Sequence, residues 1–334
     1  WMPLAYSRLW LLTAFAAAAV LAFRAQLMGR VSVRGGAVAA VSILALLQAS
    51  ASYWSYRSRP ADRAVRLEIA GEEYRRHLGL IAQSPSLGSR RTVFSYCALL
   101  DNRYRIFTQS GQPWGLPSGR NYFSPSLAQD DSSLLVETVV GGRSEIWLSS
   151  EPGGTPRLVV EGQSPAWHPG GSFAFERGGR LHLYDLETGG QTALEATEGG
   201  YDAAFSPDGE WLLFCGGRES PRKARKLGER ARKGGIWRVR VDGGSAELLY
   251  EADGCSRPRM SSDGRRVLFS LGEGGNQDIW MLNLASQEAL RLTSNPAIDR
   301  DPLWDEERNR ILFTSDRGRG LGCTTLFWMP IASK

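Results

Sequence analysis

Two residue types that often build active sites are scarce in this chain. Histidine and cysteine contribute three and four of its 334 residues. No cysteine pair has CxxC spacing and no histidine has the partner spacing of a zinc site, so the sequence predicts no metal centre. It also contains no G-x-S-x-G elbow, no P-loop and no G-x-G-x-x-G motif between a strand and a helix. We therefore expect a protein that is not an enzyme, with no catalytic residues, no cofactor and no small-molecule substrate.

The net charge is also low, at +5, and it is concentrated in one segment. Residues 218–233 contain eight basic and two acidic side chains, a local net charge of +6. Such local charge does not indicate a nucleic-acid-binding protein. It favours binding to an acidic protein face or to anionic head groups, with a solvated insertion as the alternative. The predicted partner-binding residues are Arg222, Lys223, Arg225, Lys226, Arg230, Arg232 and Lys233.

Long apolar runs occur only near the N-terminus, at residues 9–28 and 37–54. Each is close to the lower end of the roughly 17–25 residues that span a bilayer. The first run includes Arg24, whose guanidinium can extend to the head groups. Tyr53 and Trp54 end the second run as an aromatic belt at the membrane interface. The sequence therefore predicts that residues 1–56 form an anchor of one or two transmembrane helices in the lipid bilayer.

The arginines around these runs predict the orientation of the anchor. Arg24, Arg30 and Arg34 lie between the two runs with no acidic residue, which favours a cytoplasmic linker. The rest of the chain then lies on the extracytoplasmic (periplasmic) side of the cell membrane, although the arginines at 57–66 weaken this inference. The first residue is Trp1 rather than methionine, and we expect further sequence upstream of it.

Downstream of the anchor, a short segment recurs six times, usually marked by proline and always followed by a turn and an apolar strand. The first two steps between copies are 40 residues each. A unit of this length cannot bury a core alone, so neighbouring units must stack. The copies begin at Ser84-Pro85, Ser124-Pro125, Ser164-Pro165, Asp202-Ala203, Arg257-Pro258 and Asp301-Pro302.

The fifth copy shows the content of one unit. Four short strands are predicted, at 257–261, 266–270, 278–284 and 288–293. The turn Ser262-Asp263-Gly264 joins the first two, with glycine supplying a positive φ. Four strands in roughly 40 residues are typical of one blade of a β-propeller.

These residues resemble the TolB-like, or PD40, repeat: a proline, an aromatic residue, Ser-Pro-Asp-Gly and an apolar strand. The resemblance is strongest at 205–214 and 260–293 and covers residues 84–334. It implies an all-β, six-bladed propeller over that range. It implies little about activity, because the family extends from periplasmic binding proteins to the propeller halves of peptidases.

The sixth copy lacks a fourth strand, which would leave a sheet edge bare. Residues 57–83 form the linker before the propeller. Within it, residues 65–69 alternate apolar and polar side chains, as a half-buried strand does. We predict that this strand completes the last blade and closes the ring; the alternative is a juxtamembrane helix over residues 61–80.

Individual residues that could act in catalysis or metal binding are interpreted as structural. His77, His168 and His182 lie in different units, and His168 follows a tryptophan in a turn. Asp208 and Asp263 belong to Asp-Gly turns, where the side chain caps the turn. A disulfide between Cys255 and Cys323 remains open, because their separation in space is not given by the sequence.

These observations favour a non-catalytic accessory or scaffold subunit of a larger membrane protein complex, of an energy-transducing, respiratory or photosynthetic kind. The anchor would pack among other transmembrane subunits, and the propeller would bind an extracytoplasmic partner. Two alternatives remain: the sensor domain of a membrane receptor, and a propeller enzyme acting on polysaccharide or peptide.

Overall fold

The computed structural model describes residues 63–67, 79–89, 91–98, 103–216, 234–273, 276–318 and 323–331. These residues form 23 β-strands and two short 3₁₀-helices. The strands make six antiparallel sheets, five with four strands and one with three. One strand of each sheet lies nearest the centre of the ring and is its inner strand. Each inner strand contacts the inner strands of the two neighbouring sheets, and the last sheet contacts the first. The prediction of an all-β, six-bladed propeller is thus confirmed.

The first three blades follow one another along the chain. Blade 1 contains β2 (Gly79–Leu87), β3 (Thr92–Ala98) and β4 (Tyr104–Thr108). Blade 2 contains β5 (Tyr122–Leu127), β6 (Leu134–Val140), β7 (Arg143–Ser149) and β8 (Arg157–Glu161). Blade 3 contains β9 (Gln163–Trp167), β10 (Phe173–Arg177), β11 (Arg180–Tyr184) and β12 (Gln191–Ala193), followed by the 3₁₀-helix η1 (Glu195–Thr197).

The last three blades complete the ring. Blade 4 contains β13 (Tyr201–Phe205), β14 (Trp211–Gly216), β15 (Gly235–Arg240) and β16 (Glu247–Glu251). Blade 5 contains β17 (Cys255–Met260), β18 (Arg266–Glu273), β19 (Asn276–Asn283) and β20 (Ala289–Arg291). Blade 6 contains β21 (Asp299–Asp305), the 3₁₀-helix η2 (Glu306–Arg308), β22 (Arg310–Ser315), β23 (Thr325–Pro330) and the N-terminal strand β1 (Val65–Arg66).

The second strand of each blade is apolar without alternation, because blades pack against both of its faces. A continuous apolar run of this length is typical of a fully buried strand. The core therefore lies between the blades. Its buried residues include Val93-Phe94, Leu134-Leu135-Val136, Phe173-Ala174-Phe175, Leu212-Leu213-Phe214, Val267-Leu268-Phe269 and Ile311-Leu312-Phe313.

The N-terminal strand supplies the outer edge of blade 6. Val65 pairs with Trp328 and Arg66 with Phe327, in antiparallel register. The backbone N–H of Leu67 then donates to the carbonyl oxygen of Leu326, at 2.9 Å. A strand from one end of the chain is therefore joined to strands from the other, at the place where the sequence predicts the ring-closing strand 65–69.

Blade 1 differs from the other blades, because the described residues give it three strands. Trp114, which is fully buried, occupies the position beside β4. Its backbone N–H donates to Ile106 O at 2.9 Å, and its indole N–H donates to Ser149 Oγ of blade 2 at 3.0 Å. A packed loop thus covers the edge that a fourth strand would otherwise protect.

The predicted membrane anchor at 1–56, with its apolar runs 9–28 and 37–54, lies outside the described residues. Within the ranges that are described, no helix has the length and apolar character needed to cross a bilayer.

Candidate functional site

All six inner strands share one backbone irregularity. The first residue of each recurring segment has a positive φ, between 44° and 56°. Beside it the pairing between the first and second strands shifts register. Such a bulge re-aims the side chains around it, and all but one of these residues line the central channel. The six residues are Ser84, Ser124, Ser164, Asp202, Arg257 and Asp301.

The channel opens into a cavity of about 1020 Å³ among the turns that follow the inner strands. We call this opening, between residues 87–89, 127–133, 167–171, 205–207, 260–262 and 304–308, the channel mouth. Trp167 and Trp304 stand there. The indole N–H of Trp167 donates to Ser126 O at 2.7 Å, and that of Trp304 donates to Arg259 O at 2.9 Å. Each indole therefore joins its blade to the preceding one.

Strand directions decide on which side of the ring each connection lies. Inner strands such as β21 run toward the channel mouth, so β22 runs away from it, β23 toward it and β1 away from it. The chain therefore enters β1 from the mouth side. In blade 4, β14 runs away from the mouth, and β15 returns. The two ends of the basic segment, at Gly216 and Gly234, accordingly lie on the opposite face.

In blades 4 to 6, ion pairs between side chains hold the channel wall together. Arg257 lies between two carboxylates from neighbouring blades: its Nε is 3.5 Å from Oδ1 of Asp202 and 3.5 Å from Oδ1 of Asp301. Its Nη2 donates to Ser84 Oγ at 3.2 Å. These side chains are largely buried, with exposed fractions of 21% for Arg257, 17% for Asp202 and 12% for Asp301.

The two carboxylates also accept hydrogen bonds from backbone and hydroxyl groups. Oδ2 of Asp202 accepts the backbone N–H of Arg257 at 3.3 Å. Oδ2 of Asp301 accepts the backbone N–H of Ser84 at 3.0 Å and the hydroxyl of Thr314 at 3.2 Å. Both acids thus satisfy backbone N–H groups of positive-φ residues of the next blade, those of Arg257 and Ser84, which would otherwise be unpaired when buried.

Burial and charge compete at this cluster. Burial works against ionisation of Asp301, but Arg257 and Arg300 outweigh it and hold its pKa below the usual value. Burial likewise opposes the charge of Arg257, and Asp202 and Asp301 overcome it, so the pKa of Arg257 is raised. At Arg259 burial, followed by repulsion from Arg257, outweighs the attraction of Asp202 and Asp301 and lowers the pKa to about 10. Arg257, Arg259 and Asp301 are therefore charged at neutral pH.

In blades 1 to 3 hydroxyl groups replace the charges. Ser86 Oγ accepts the backbone N–H of Leu127 at 2.9 Å, and Ser126 Oγ accepts that of Trp167 at 3.2 Å. Each bond joins one blade to the next. On this side the carboxylate of Glu137 accepts the backbone N–H of Ser164 at 3.1 Å.

The channel is therefore a recess with fixed charge and shape. The carboxylates of Asp202 and Asp301 already hold Arg257 and backbone N–H groups, which is unlike the pair of accessible carboxyls that glycoside hydrolysis uses. Within the described residues, no three His, Cys, Asp or Glu side chains are grouped so that they could hold a metal ion.

The sequence-predicted site residues fall outside this recess. The seven partner-binding residues Arg222, Lys223, Arg225, Lys226, Arg230, Arg232 and Lys233 lie in 217–233, outside the described residues. The membrane-interface residues Arg24, Tyr53 and Trp54 also lie outside them.

The aspartates of the Asp-Gly turns cap their own turns. Asp208 Oδ1 accepts the hydroxyl of Ser206 and the backbone N–H of Glu210. Asp263 Oδ1 accepts the hydroxyl of Ser261 and the backbone N–H of Arg265 in the same way. These hydrogen bonds hold the pKa of each aspartate below its usual value.

Two of the three histidines lie in described parts of the chain, and both make structural contacts. Nδ1 of His168 accepts the backbone N–H of Gly170, so its Nε2 is the donor to Gly209 O at 3.0 Å. This bond joins blade 3 to blade 4. His182 stacks on Phe175, and burial, with the charge of Arg177, lowers its pKa. His77 lies outside the described residues.

The cysteines do not pair as considered from the sequence. Cys255 and Cys323 are not joined to each other. Instead, Sγ of Cys255 lies 2.7 Å from Sγ of Cys215, in the neighbouring blade. The separation of 40 residues equals one propeller repeat, and the side chains of adjacent repeats meet between the blades.

Sequence reasoning identified Asp202, Arg257 and Asp301 as repeat markers and missed them as a cluster. A signal was present, because these copies carry charged residues where the first three copies carry serine. A charged residue at a position that structural repeats leave to serine indicates a specific partner nearby.

The comparisons with known proteins agree with this fold. Residues 230–333 match the family described as PD40, the TolB beta propeller domain. An uncharacterised protein of Agrobacterium fabrum is 33% identical over 145 residues, which cover 40% of this chain and 45% of that protein. The chain therefore matches less than half the length of this curated relative.

Solved structures show the same architecture at low identity. A protein assigned as TolB from Agrobacterium tumefaciens superposes with a TM-score of 0.51 and 19% identity, covering 76% of this chain and 91% of that one. An oligogalacturonate lyase solved with manganese gives a TM-score of 0.51 at 15% identity, covering 83% and 95%. At such identities the likeness concerns the fold alone. The resemblance to the TolB-like repeat is thus confirmed, with residues 230–333 matching the TolB beta propeller domain family and the fold shared with solved propellers.

Proposed function

We propose that this protein is a non-catalytic, membrane-anchored accessory subunit whose channel mouth contacts a membrane-embedded partner on the extracytoplasmic side. The observation that carries the proposal is the direction of β1, which starts on the mouth side of the ring. A chain that enters from that side ties the mouth, rather than the opposite face, to whatever precedes it.

The length of the connection supports this orientation. The predicted anchor ends at residue 56, and the first described residue is Arg63. Seven residues span at most about 25 Å when fully extended. The mouth-side rim of blade 6 is then held within that distance of the bilayer surface, where the partner's extracytoplasmic loops would lie.

The chemistry of the mouth supports binding rather than catalysis. Its tryptophans hold neighbouring blades together, and the carboxylates of the channel that it opens into are bound to Arg257. A rigid, partly apolar rim around a charged recess is suited to receive a polypeptide segment.

The same topology supports a different role for the basic segment. Its ends lie on the face opposite the mouth, which in this orientation points away from the membrane. Its net charge of +6 then binds an acidic protein face rather than anionic head groups. The sequence left both interpretations open.

A pair of photo-crosslinking variants of the full chain tests the proposal in native membranes. One carries the crosslinker in place of Glu307, an exposed residue of the mouth, and the other in place of Arg143, an exposed residue of the β6–β7 hairpin on the opposite face. We expect the first variant, but not the second, to crosslink to a membrane-embedded subunit. Crosslinks from Arg143 alone, or purification as a monodisperse monomer in mild detergent, would contradict the proposal.

An enzyme acting on polysaccharide remains the second candidate, because the fold is shared with an oligogalacturonate lyase. Incubation of the purified full chain with oligogalacturonate and manganese, followed by detection of unsaturated products, distinguishes the two functions. The sensor alternative is distinguished by the gene sequence upstream of Trp1, which would encode a cytoplasmic signalling domain.

A further inference from the structure

We propose that Cys215 and Cys255 form a disulfide bond that joins blades 4 and 5. Both side chains are fully buried, and their sulfur atoms are 2.7 Å apart. A disulfide bond has a length of about 2.05 Å. A displacement of less than one ångström therefore brings the two sulfurs to bonding distance.

The surroundings hold the two cysteines in this position. They belong to one apolar cluster, which includes Leu213 and Ile236 of blade 4 and Phe269 of blade 5. The hydroxyl of Tyr201 in blade 4 donates to Cys255 O at 2.9 Å. A packed cluster and a hydrogen bond between the blades thus fix the backbone on both sides of the sulfur contact.

The reaction is thiol–disulfide exchange with a disulfide-bearing oxidoreductase of the extracytoplasmic compartment. One cysteine thiolate attacks the oxidant disulfide and forms a mixed disulfide, and the other then displaces the oxidant. The new S–S bond replaces the oxidant's S–S bond, and the two protons and two electrons of the cysteine thiols end on the oxidant as a dithiol. Because the folded pair is buried, exchange takes place before the two blades pack or during local opening.

The bond would fasten the part of the chain that carries the basic segment. Residues 217–233 lie inside the 40-residue loop that it closes. Arg257, which holds Asp202 and Asp301 in the channel, follows Cys255 by two residues. The disulfide would therefore hold β14, which ends at Gly216 where the basic segment begins, and β17, which carries Arg257, at one fixed blade interface.

The test is oxidative refolding of the full chain in mild detergent with oxidised and reduced glutathione, followed by alkylation and peptide mapping by mass spectrometry. We expect one linked peptide pair that contains Cys215 and Cys255, with Cys97 and Cys323 alkylated. The Cys323→Ser variant is the matched control and should give the same linked pair. Recovery of both Cys215 and Cys255 in alkylated form would overturn the proposal.

A second measurement distinguishes a disulfide bond between the two cysteines from two thiols that are only packed together. A reductant should lower the thermal midpoint of the oxidised wild type by about 5–10 °C, with no effect on the Cys215→Ser/Cys255→Ser double variant. An equal reductant effect on both proteins would also overturn the proposal.

Whether the two cysteines are oxidised in cells rests on the proposed extracytoplasmic placement, so it has a separate test. Protein alkylated directly in cells should contain the bond. A bond that forms in vitro but is absent in cells would contradict the placement while the pairing of the two cysteines stands. The crosslinking experiment from Glu307 is independent of both results.

Discussion

The two halves of the ring solve the same structural problem with different chemistry. Every inner strand has a positive-φ residue whose neighbourhood must be tied to the next blade. Blades 1 to 3 use the hydroxyls of Ser86 and Ser126, together with the carboxylate of Glu137, on backbone N–H groups. Blades 4 to 6 use the ion pairs of Arg257 with Asp202 and Asp301. The fold requires the bulge and does not fix which side chain it carries.

The largest expected effect on stability comes from disrupting the ion pairs of blades 4 to 6. Asp301→Ala removes a carboxylate that holds Arg257, the N–H of Ser84 and the hydroxyl of Thr314. Asp202 alone then compensates the buried charge of Arg257. Loss of one partner of a buried ion pair is strongly destabilising, so we expect the free energy of unfolding to fall by about 3 kcal/mol. Urea unfolding of the full chain, followed by circular dichroism, measures it.

The matched control for this variant is Asp242→Ala, which removes an ion pair between exposed side chains. Its cost should stay below about 1 kcal/mol. Equal costs for the two variants would mean that the channel cluster contributes no more than a surface pair.

A pH dependence of stability is expected at Asp299, which lies two residues before Asp301 on the same strand. Burial raises the pKa of Asp299 to about 6, although Arg317 opposes the shift. The pKa of an unfolded aspartate is about 3.9. Between these values the folded state binds more protons than the unfolded state, so the contribution of Asp299 to stability is largest below about pH 4 and declines by about 3 kcal/mol as the pH rises through 6.

Comparison with Asp299→Asn isolates this effect, because the amide does not titrate. The free energy of unfolding of wild type minus that of the variant should fall between pH 4 and pH 6.5 and then level off. A difference that rises with pH would show that the ion pair with Arg317 outweighs burial.

A glycine in blade 4 tests the contact between blades 3 and 4, where the two halves of the ring meet. Gly209 has a φ of +76°, and a Cβ there would collide with the imidazole of His168 in blade 3. Gly264 occupies the same turn in blade 5, with a φ of +68° and open space around it. Gly264→Ala should therefore cost about 1 kcal/mol for the backbone alone, and Gly209→Ala about 2–3 kcal/mol.

The measurement is the shift in the urea midpoint of each variant, and Gly209→Ala in a His168→Ala background serves as the control. Removal of the imidazole should reduce the cost at Gly209 to that at Gly264. A cost that stays unchanged would assign the difference to the backbone and not to the contact between the blades.

The smallest effect is expected in the hydroxyl half. Ser126→Ala removes the acceptor for the backbone N–H of Trp167, which should cost about 1 kcal/mol. Ser150→Ala, at an exposed position of the same blade, is the control and should change stability by less than about 0.5 kcal/mol. If Ser126→Ala destabilised the protein as much as Asp301→Ala, the proposed contrast between the two halves would be wrong.

Much of the fold could be predicted from the sequence, because its signals are local. The predicted strands of the fifth copy differ from β17 to β20 by a few residues at their ends. Blade 1 was harder to predict: Trp114 closes its outer edge through long-range contacts with Ile106 and Ser149. The candidate site was harder still, since Asp202 and Arg257 are 55 residues apart.

The sequence by itself determined a ring of stacked four-stranded units, because turn residues, prolines and apolar runs act over a few residues and recur about every 40. Only the tertiary structure decided which side chains meet. It brought Asp202, Arg257 and Asp301 to one wall, set Cys215 against Cys255, and made the chain enter from the side of the channel mouth. These contacts depend on how one blade packs on the next, a geometry that no local pattern of residues encodes.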